Sequence, residues 1–177
     1  MAASESTRPF SAEPWLRGTL PEVPAVQRAV LHALELAGED LRRWCGGLLD
    51  DEWNARPSGL PSVAFHLRHI ARSLDRLLTY AEGGDLSKEQ LAELKREQDP
   101  SVNSKQLFDE LNSAFDKSAI RVRAFGAAML EEPRKVGKKQ LPTTLGGLLV
   151  HIADHTQRHT GQAITTAKLL LATRAKP

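Results

Sequence analysis

Apolar residues recur with helical spacing in four stretches of the chain, and this periodicity restricts the fold more than any other feature of the sequence. In each stretch the apolar positions return every three or four residues, which is the period of an amphipathic α-helix. The stretches run from about Val23 to Leu49, from Ser62 to Glu82, from Ser104 to Leu130, and from Thr143 or Thr144 to about Thr173. No segment alternates with the two-residue period of a β-strand. The sequence therefore predicts an all-α protein whose four long helices pack as a four-helix bundle.

A polar segment separates the second and third long helices. Ser87 precedes Lys-Glu-Gln, which matches the capping pattern of a helix start, and Asp99-Pro100 ends the segment. This pattern predicts an extra short, exposed helix over about Ser87 to Gln98. Two other connections are predicted to be loops, residues 50–61 and 131–142. The first of them contains Trp53, which we expect to cover the core.

Length and composition predict a single globular domain. The chain has 177 residues, of which 41% are hydrophobic and 26% charged, as in ordinary globular proteins. We assign residues 21–177 to one helical domain. Residues 1–20 are polar and contain Pro9 and Pro14, so we assign them to an N-terminal tail.

Charge and residue usage exclude several classes of function. The formal net charge of +2 is too balanced to indicate nucleic acid or an anionic membrane as a partner. No apolar run approaches the roughly 18 residues of a membrane span, and the N-terminus lacks the apolar core of a signal peptide. The single Cys45 excludes an intrachain disulfide and a cysteine-rich zinc site. We therefore expect a cytoplasmic protein that binds neither nucleic acid nor a membrane.

Five of the six histidines lie in two helical patches, His66 with His69, and His151 with His155 and His159. Histidine is a common ligand of zinc, nickel, copper and iron, and two histidines four residues apart project from one face of a helix. A third histidine from another helix would complete a three-histidine site with open positions. Such a site is typical of a catalytic metal rather than a structural one.

A helical wheel orders these histidines. His155 and His159 lie within the inward stripe of the last helix, whereas His151 lies toward its edge. On the second helix the wheel slightly favours His66 over His69. The residues alone leave an alternative open, in which the inward histidines form a hydrogen-bonded polar cluster without metal.

Three segments resemble the DinB/YfiT family of four-helix bundles, which are regarded as metalloenzymes and are distinct from the DNA polymerase that shares the DinB name. The last-helix segment Leu148 to Gln162, with its two histidines and Gly-Gln ending, resembles the family's last-helix pattern. The second-helix segment Ser62 to Arg76 and the Trp-x-x-x-Pro of Trp53 to Pro57 resemble the family's second helix and the loop that enters it.

The resemblance implies a divalent metal, such as zinc, nickel or iron, held by His69, His155 and His159. It selects His69 over His66, against the slight preference of the wheel. It also implies a homodimer, as family members often are. The long connection 83–103 is placed where it would cover or shape the mouth of the site.

Two classes of function follow. In the first, the protein is a metal-dependent enzyme with a small-molecule substrate. Some family members resemble thiol-dependent transferases, so the resemblance implies a low-molecular-weight thiol as cosubstrate. Metal-dependent hydrolysis is the neighbouring reaction. In the second, a fourth ligand such as His66, His151 or Asp154 closes the site, and the protein is a non-catalytic metal-binding or protein-interaction bundle. The sequence identifies no catalytic residue beyond the metal ligands.

Overall fold

A computed structural model describes residues 12–100 and 103–174 of the chain. The α-helices are α1 (Ala25–Cys45), α2 (Val63–Ala81), α3 (Lys88–Lys95), α4 (Ser104–Arg123) and α5 (Leu145–Arg174). Three short 3₁₀-helices cover Pro14–Leu16, Pro57–Gly59 and Ala127–Met129. Two strands, β1 (Pro133–Val136) and β2 (Leu141–Thr144), form one antiparallel hairpin.

The four long helices α1, α2, α4 and α5 form the bundle, as the periodicity predicts. Helix α5 packs on both α1 and α2, and α4 packs on α2 and α1. Residues further along α5 contact residues earlier in α2. His155 meets Ser73, His159 meets His66, and the Thr166 hydroxyl donates to the carbonyl oxygen of Pro61, just before α2. These two helices are therefore antiparallel neighbours, which sets residues of the two histidine patches opposite each other.

The core is built from the apolar stripes of these helices. Its largest fully buried apolar side chains are Trp53, Leu41, Leu67, Ile70, Leu74, Leu78, Leu111, Leu145, Leu149 and Ile152. Trp53, predicted to cover the core, is 1% exposed. Burial of these side chains is the main stabilising contribution that holds the helices of the bundle together.

Local signals fix the starts of two helices. The Ser62 hydroxyl accepts a hydrogen bond from the Phe65 amide at 3.2 Å, so Ser62 caps α2 as its sequence predicts. At α3, Ser87 and Gln90 form a reciprocal capping box. The extra short helix between the second and third long helices is thus confirmed.

The expectation of no strands, with a loop at 131–142, was wrong. Strand β1 pairs with β2 from Pro133 opposite Thr144 to Val136 opposite Leu141. Each strand has four residues and none of them is buried, so the apolar alternation that reveals a half-buried strand is absent. The neighbouring helix ends also differ from the prediction. Helix α4 ends at Arg123 instead of Leu130, and α5 begins only at Leu145.

The N-terminal tail lies partly outside the described residues, which begin at 12. Within the described part, Arg17 forms ion pairs with Glu35 and Glu39 of α1, at 3.0 and 2.6 Å. No helix among the residues that the structure describes is long and apolar enough to cross a membrane.

Candidate metal centre

Histidines 69, 155 and 159 converge where α2 and α5 pack against each other. Each offers a ring nitrogen, and the three nitrogens lie within 4.8 Å of one another. The Nε2 atoms of His69 and His155 are 3.1 Å apart. His155 and His159 share a face because they are one helical turn apart, and the antiparallel packing brings His69 to the same level.

Each of these three rings is engaged through Nδ1 by a second side chain. His69 Nδ1 donates to Glu97 Oε2 at 2.7 Å. His155 Nδ1 lies 3.4 Å from the Ser73 hydroxyl, and His159 Nδ1 lies 3.1 Å from Nδ1 of His66. This leaves Nε2 of each ring as the nitrogen that would bind a metal, in place of the hydrogen-bond contact between Nε2 of His69 and Nε2 of His155. Metal-binding histidines in proteins are commonly oriented in this way by a partner on the other ring nitrogen.

The pKa values of the two α5 histidines favour the neutral form that binds metals. Burial, and then the positive charge of neighbouring groups, lowers the pKa of His155 to about 4. The same causes lower the pKa of His159 to about 4. Both rings are therefore neutral near pH 7, with a lone pair on one nitrogen. Three convergent imidazoles, each with its Nδ1 engaged, are a donor set that suits a divalent metal.

Glu97 is the principal residue of the site that the sequence did not predict. It follows α3, is 4% exposed, and binds His69 Nδ1 with one oxygen and Arg76 Nη1 with the other, each at 2.7 Å. Burial alone would raise the pKa of Glu97, but the hydrogen bond from His69 and the positive charge of Arg76 outweigh it and hold that pKa below its usual value. The carboxylate is therefore ionised near neutral pH. Ser73 was missed as well.

His66 lies beneath the cluster instead of within it. It is 1% exposed, and burial lowers its pKa to about 4. Its Nδ1 faces His159, and its Nε2 is buried without a hydrogen-bond partner among the described residues. The slight preference of the wheel for His66 over His69 was therefore wrong about which residue joins the three-nitrogen group. His66 is the more buried of the two, but it contacts Nδ1 of His159, which is not the nitrogen that would bind a metal.

The other candidates for a fourth ligand lie outside the group. His151 is exposed, and its ring centroid lies 5.5 Å from that of His155. Asp154 is exposed and pairs with Arg158 one turn further along α5. The three histidines are themselves partly exposed, so one side of the cluster is open to solvent.

The metal-free protein is expected to lose stability as the pH falls from about 6.5 to about 4. The pKa values of His66, His155 and His159 are lowered to about 4 in the folded protein. The same rings take up protons near pH 6.5 in the unfolded chain. Because the unfolded state binds more protons within this window, the free energy of unfolding decreases there as the pH is lowered.

Urea unfolding of the metal-free protein at pH 7.5, 6 and 5 measures this dependence. The variant His155→Asn should show a smaller decrease than the wild type, since one of the titrating rings is gone. A free energy of unfolding that is constant from pH 7.5 to 5 would contradict the neutral state of these rings in the folded protein.

Comparison with known proteins agrees with this fold. The family model of the DinB superfamily matches residues 33–163. A conserved protein from Enterococcus faecalis superimposes with a TM-score of 0.69 at 20% sequence identity, covering 84% of this chain and 99% of that one. YfiT from Bacillus subtilis, described as a probable metal-dependent hydrolase with an unusual four-helix bundle topology, gives a TM-score of 0.61 at 14% identity, covering 81% of this chain and 87% of YfiT.

Among curated protein sequences, no significant match to the chain was found. The two structural relatives share too little sequence to indicate more than the fold. The family model, however, spans most of the chain and includes all three clustered histidines. The protein therefore belongs to the DinB superfamily.

Proposed function

We propose that this protein is a divalent-metal-dependent enzyme whose metal is held by His69, His155 and His159. The observation that carries the proposal is the convergence of three imidazole nitrogens from two antiparallel helices, each ring engaged at Nδ1. A divalent metal bound by three neutral ligands keeps its positive charge and open positions, so it supplies Lewis-acid chemistry that makes water or a thiol acidic near neutral pH. Zinc, nickel and iron all suit imidazole ligands.

Cys45 and Ser73 are poor candidates for the nucleophile of such a reaction, which we propose comes from solution. Cys45 is fully buried, and burial raises the pKa of its thiol to about 12. Ser73 touches the cluster, but it is buried and its hydroxyl donates to the carbonyl oxygen of Ile70. Water and a low-molecular-weight thiol are the two nucleophiles that we propose. The first corresponds to hydrolysis, as in the description of YfiT, and the second to an S-transferase reaction.

A cavity beside the cluster supports a small-molecule substrate. It has a volume of about 250 Å³ and is lined in part by Phe65, whose ring stacks on His69 with centroids 5.4 Å apart. Arg56 and Gln98 also line it. Arg56 is exposed and forms no ion pair with any residue that the structure describes, so its charge is available to an anionic group of the substrate.

A screen of the protein loaded with zinc, nickel or iron tests the catalytic proposal. Ester and amide hydrolysis would be assayed beside transfer of a thiol to electrophilic substrates, each with His155→Ala as the inactive control. Metal-dependent turnover of either class that disappears in the control supports the proposal. A protein that binds metal stoichiometrically but turns over neither class would favour the non-catalytic metal-binding bundle.

Once an anionic substrate is found, Arg56→Ala is expected to raise its KM about ten- to hundredfold, because a charged hydrogen bond contributes about 1.5–3 kcal/mol. Metal content should not change, since Arg56 does not touch the histidines. Steady-state kinetics with the anionic substrate and an uncharged analogue measure the effect. An equal rise in KM for both would reject Arg56 as the anion-binding group.

A further inference from the structure

We propose that Glu97 is a positioning residue of the metal centre, which holds the His69 ring in the tautomer that leaves Nε2 free to bind metal. The inference rests on the proposed metal site and adds to it a residue outside the histidine set. A carboxylate can only accept a hydrogen bond, so the 2.7 Å contact requires that His69 Nδ1 carry the proton. Nε2 of His69 then has the lone pair, and this is the atom that lies 3.1 Å from Nε2 of His155.

The position of Glu97 is itself fixed. Its second oxygen pairs with Arg76, which is only 10% exposed at the side chain. Phe65 also constrains the His69 ring, because the two rings stack nearly parallel, with an interplanar angle of 20°. The ring of His69 is therefore held by a charged hydrogen bond and by aromatic packing, with little freedom to rotate.

His69 differs in this respect from the other two histidines of the cluster. The partners of His155 and His159 are the Ser73 hydroxyl and the neutral ring of His66. When a negatively charged partner binds Nδ1, the imidazole is a stronger electron donor to a metal than it is with a neutral partner. We infer that His69 is the ligand whose strength depends most on its partner.

A row of arginines on α2 brings Glu97 to this place. Arg68 donates to the backbone carbonyl oxygens of Asp99 and Pro100. One turn further along, Arg72 donates to the backbone carbonyl oxygen of Glu93 and pairs with its carboxylate, both at 3.0 Å. The arginine that pairs with Glu97 is the third of this row. The row thus holds the end of α3 and the following turn against α2, on both sides of the positioning carboxylate.

A purely structural ion pair between Glu97 and Arg76 is the alternative. Burying a carboxylate is costly unless it is paired, and Arg76 alone would offset much of that cost. A structural pair would contribute to the free energy of unfolding but would leave the tautomer of His69 and the metal affinity unchanged. The two explanations therefore differ in measurements that do not depend on enzymatic activity.

The test uses Glu97→Gln and Glu97→Ala. Zinc affinity is measured by competition with a chromophoric chelator, and the tautomer of His69 by ¹⁵N NMR of its ring in the metal-free protein. We expect zinc affinity to fall about tenfold in Glu97→Gln, which keeps an acceptor oxygen, and about a hundredfold in Glu97→Ala. The Nδ1-protonated tautomer should persist in the first variant and become mixed in the second.

Glu82→Gln is the matched control, because Glu82 is an ion-paired carboxylate that binds Arg121 at 2.7 Å and takes no part in the arginine row that holds Glu97. It should change zinc affinity less than twofold. Wild-type affinity in both Glu97 variants, with an unchanged His69 tautomer, would overturn the inference. A wild-type protein that binds no metal would instead reject the proposed function, and the ring tautomer in the metal-free variants would still decide the role of Glu97.

Discussion

His155→Ala and His159→Ala are each expected to lose bound metal. The fall in metal affinity should exceed the roughly hundredfold expected when a side chain that binds Nδ1 of a ligand histidine is removed. Each substitution removes one of three convergent nitrogens, and no other carboxylate or histidine among the described residues belongs to the group. Isothermal titration with zinc, after removal of metal by a chelator, measures the change. The proteins should stay folded, since both side chains are partly exposed.

His151→Ala is the control on the same helix. His151 is exposed and lies outside the three-nitrogen group, so metal affinity should stay within about twofold of the wild type. Equal metal loss in all three variants would reject the ligand assignment, because it would show that the cluster binds metal through a different set of histidines.

Trp53→Ala is expected to lower the free energy of unfolding by about 3–5 kcal/mol. The Trp53 side chain is 1% exposed and packs edge-on against Phe108, with ring centroids 5.7 Å apart. The indole nitrogen has no hydrogen-bond partner within the described residues, so packing is the main contribution of the ring. The backbone carbonyl oxygen of Trp53 accepts a hydrogen bond from the Ala64 amide at 2.9 Å, which connects the loop to the start of α2.

Chemical denaturation of Trp53→Ala beside Trp15→Ala measures this effect. Trp15 is 61% exposed, so its substitution should change the free energy of unfolding by no more than about 0.5 kcal/mol. A cost at Trp53 similar to the cost at Trp15 would contradict the packing of the loop against the core. Trp53→Phe should cost less than Trp53→Ala, because it retains most of the buried ring area.

The long helices were predictable because each presents an apolar stripe over many turns. Their ends were less predictable, since a short 3₁₀-helix follows α4 and the hairpin intervenes before α5. The hairpin itself has eight strand residues, none of them buried, and it is held by backbone pairing that leaves no apolar pattern. Periodicity reveals only the elements that bury a face.

Only the part of the site that lies on a single helix, α5, was predictable from the residues alone. His155 and His159 follow from the inward face of α5, whereas His69 follows only from the family resemblance. A helical wheel assumes an ideal helix and contains no information on how a neighbouring helix packs. It therefore could not show which of His66 and His69 joins the other two histidines. Glu97 was missed because its role comes from its contact with His69, which is 28 residues away in sequence, with no local pattern around it.

Elemental analysis of the wild-type protein, purified without an affinity tag, tests the central claim most directly. The three-histidine site predicts about one divalent metal per chain, either as purified or after addition of zinc, nickel or iron salts and removal of the excess. A protein that retains no metal under any of these conditions would contradict the metal centre, and the histidines would then be a hydrogen-bonded cluster in the bundle.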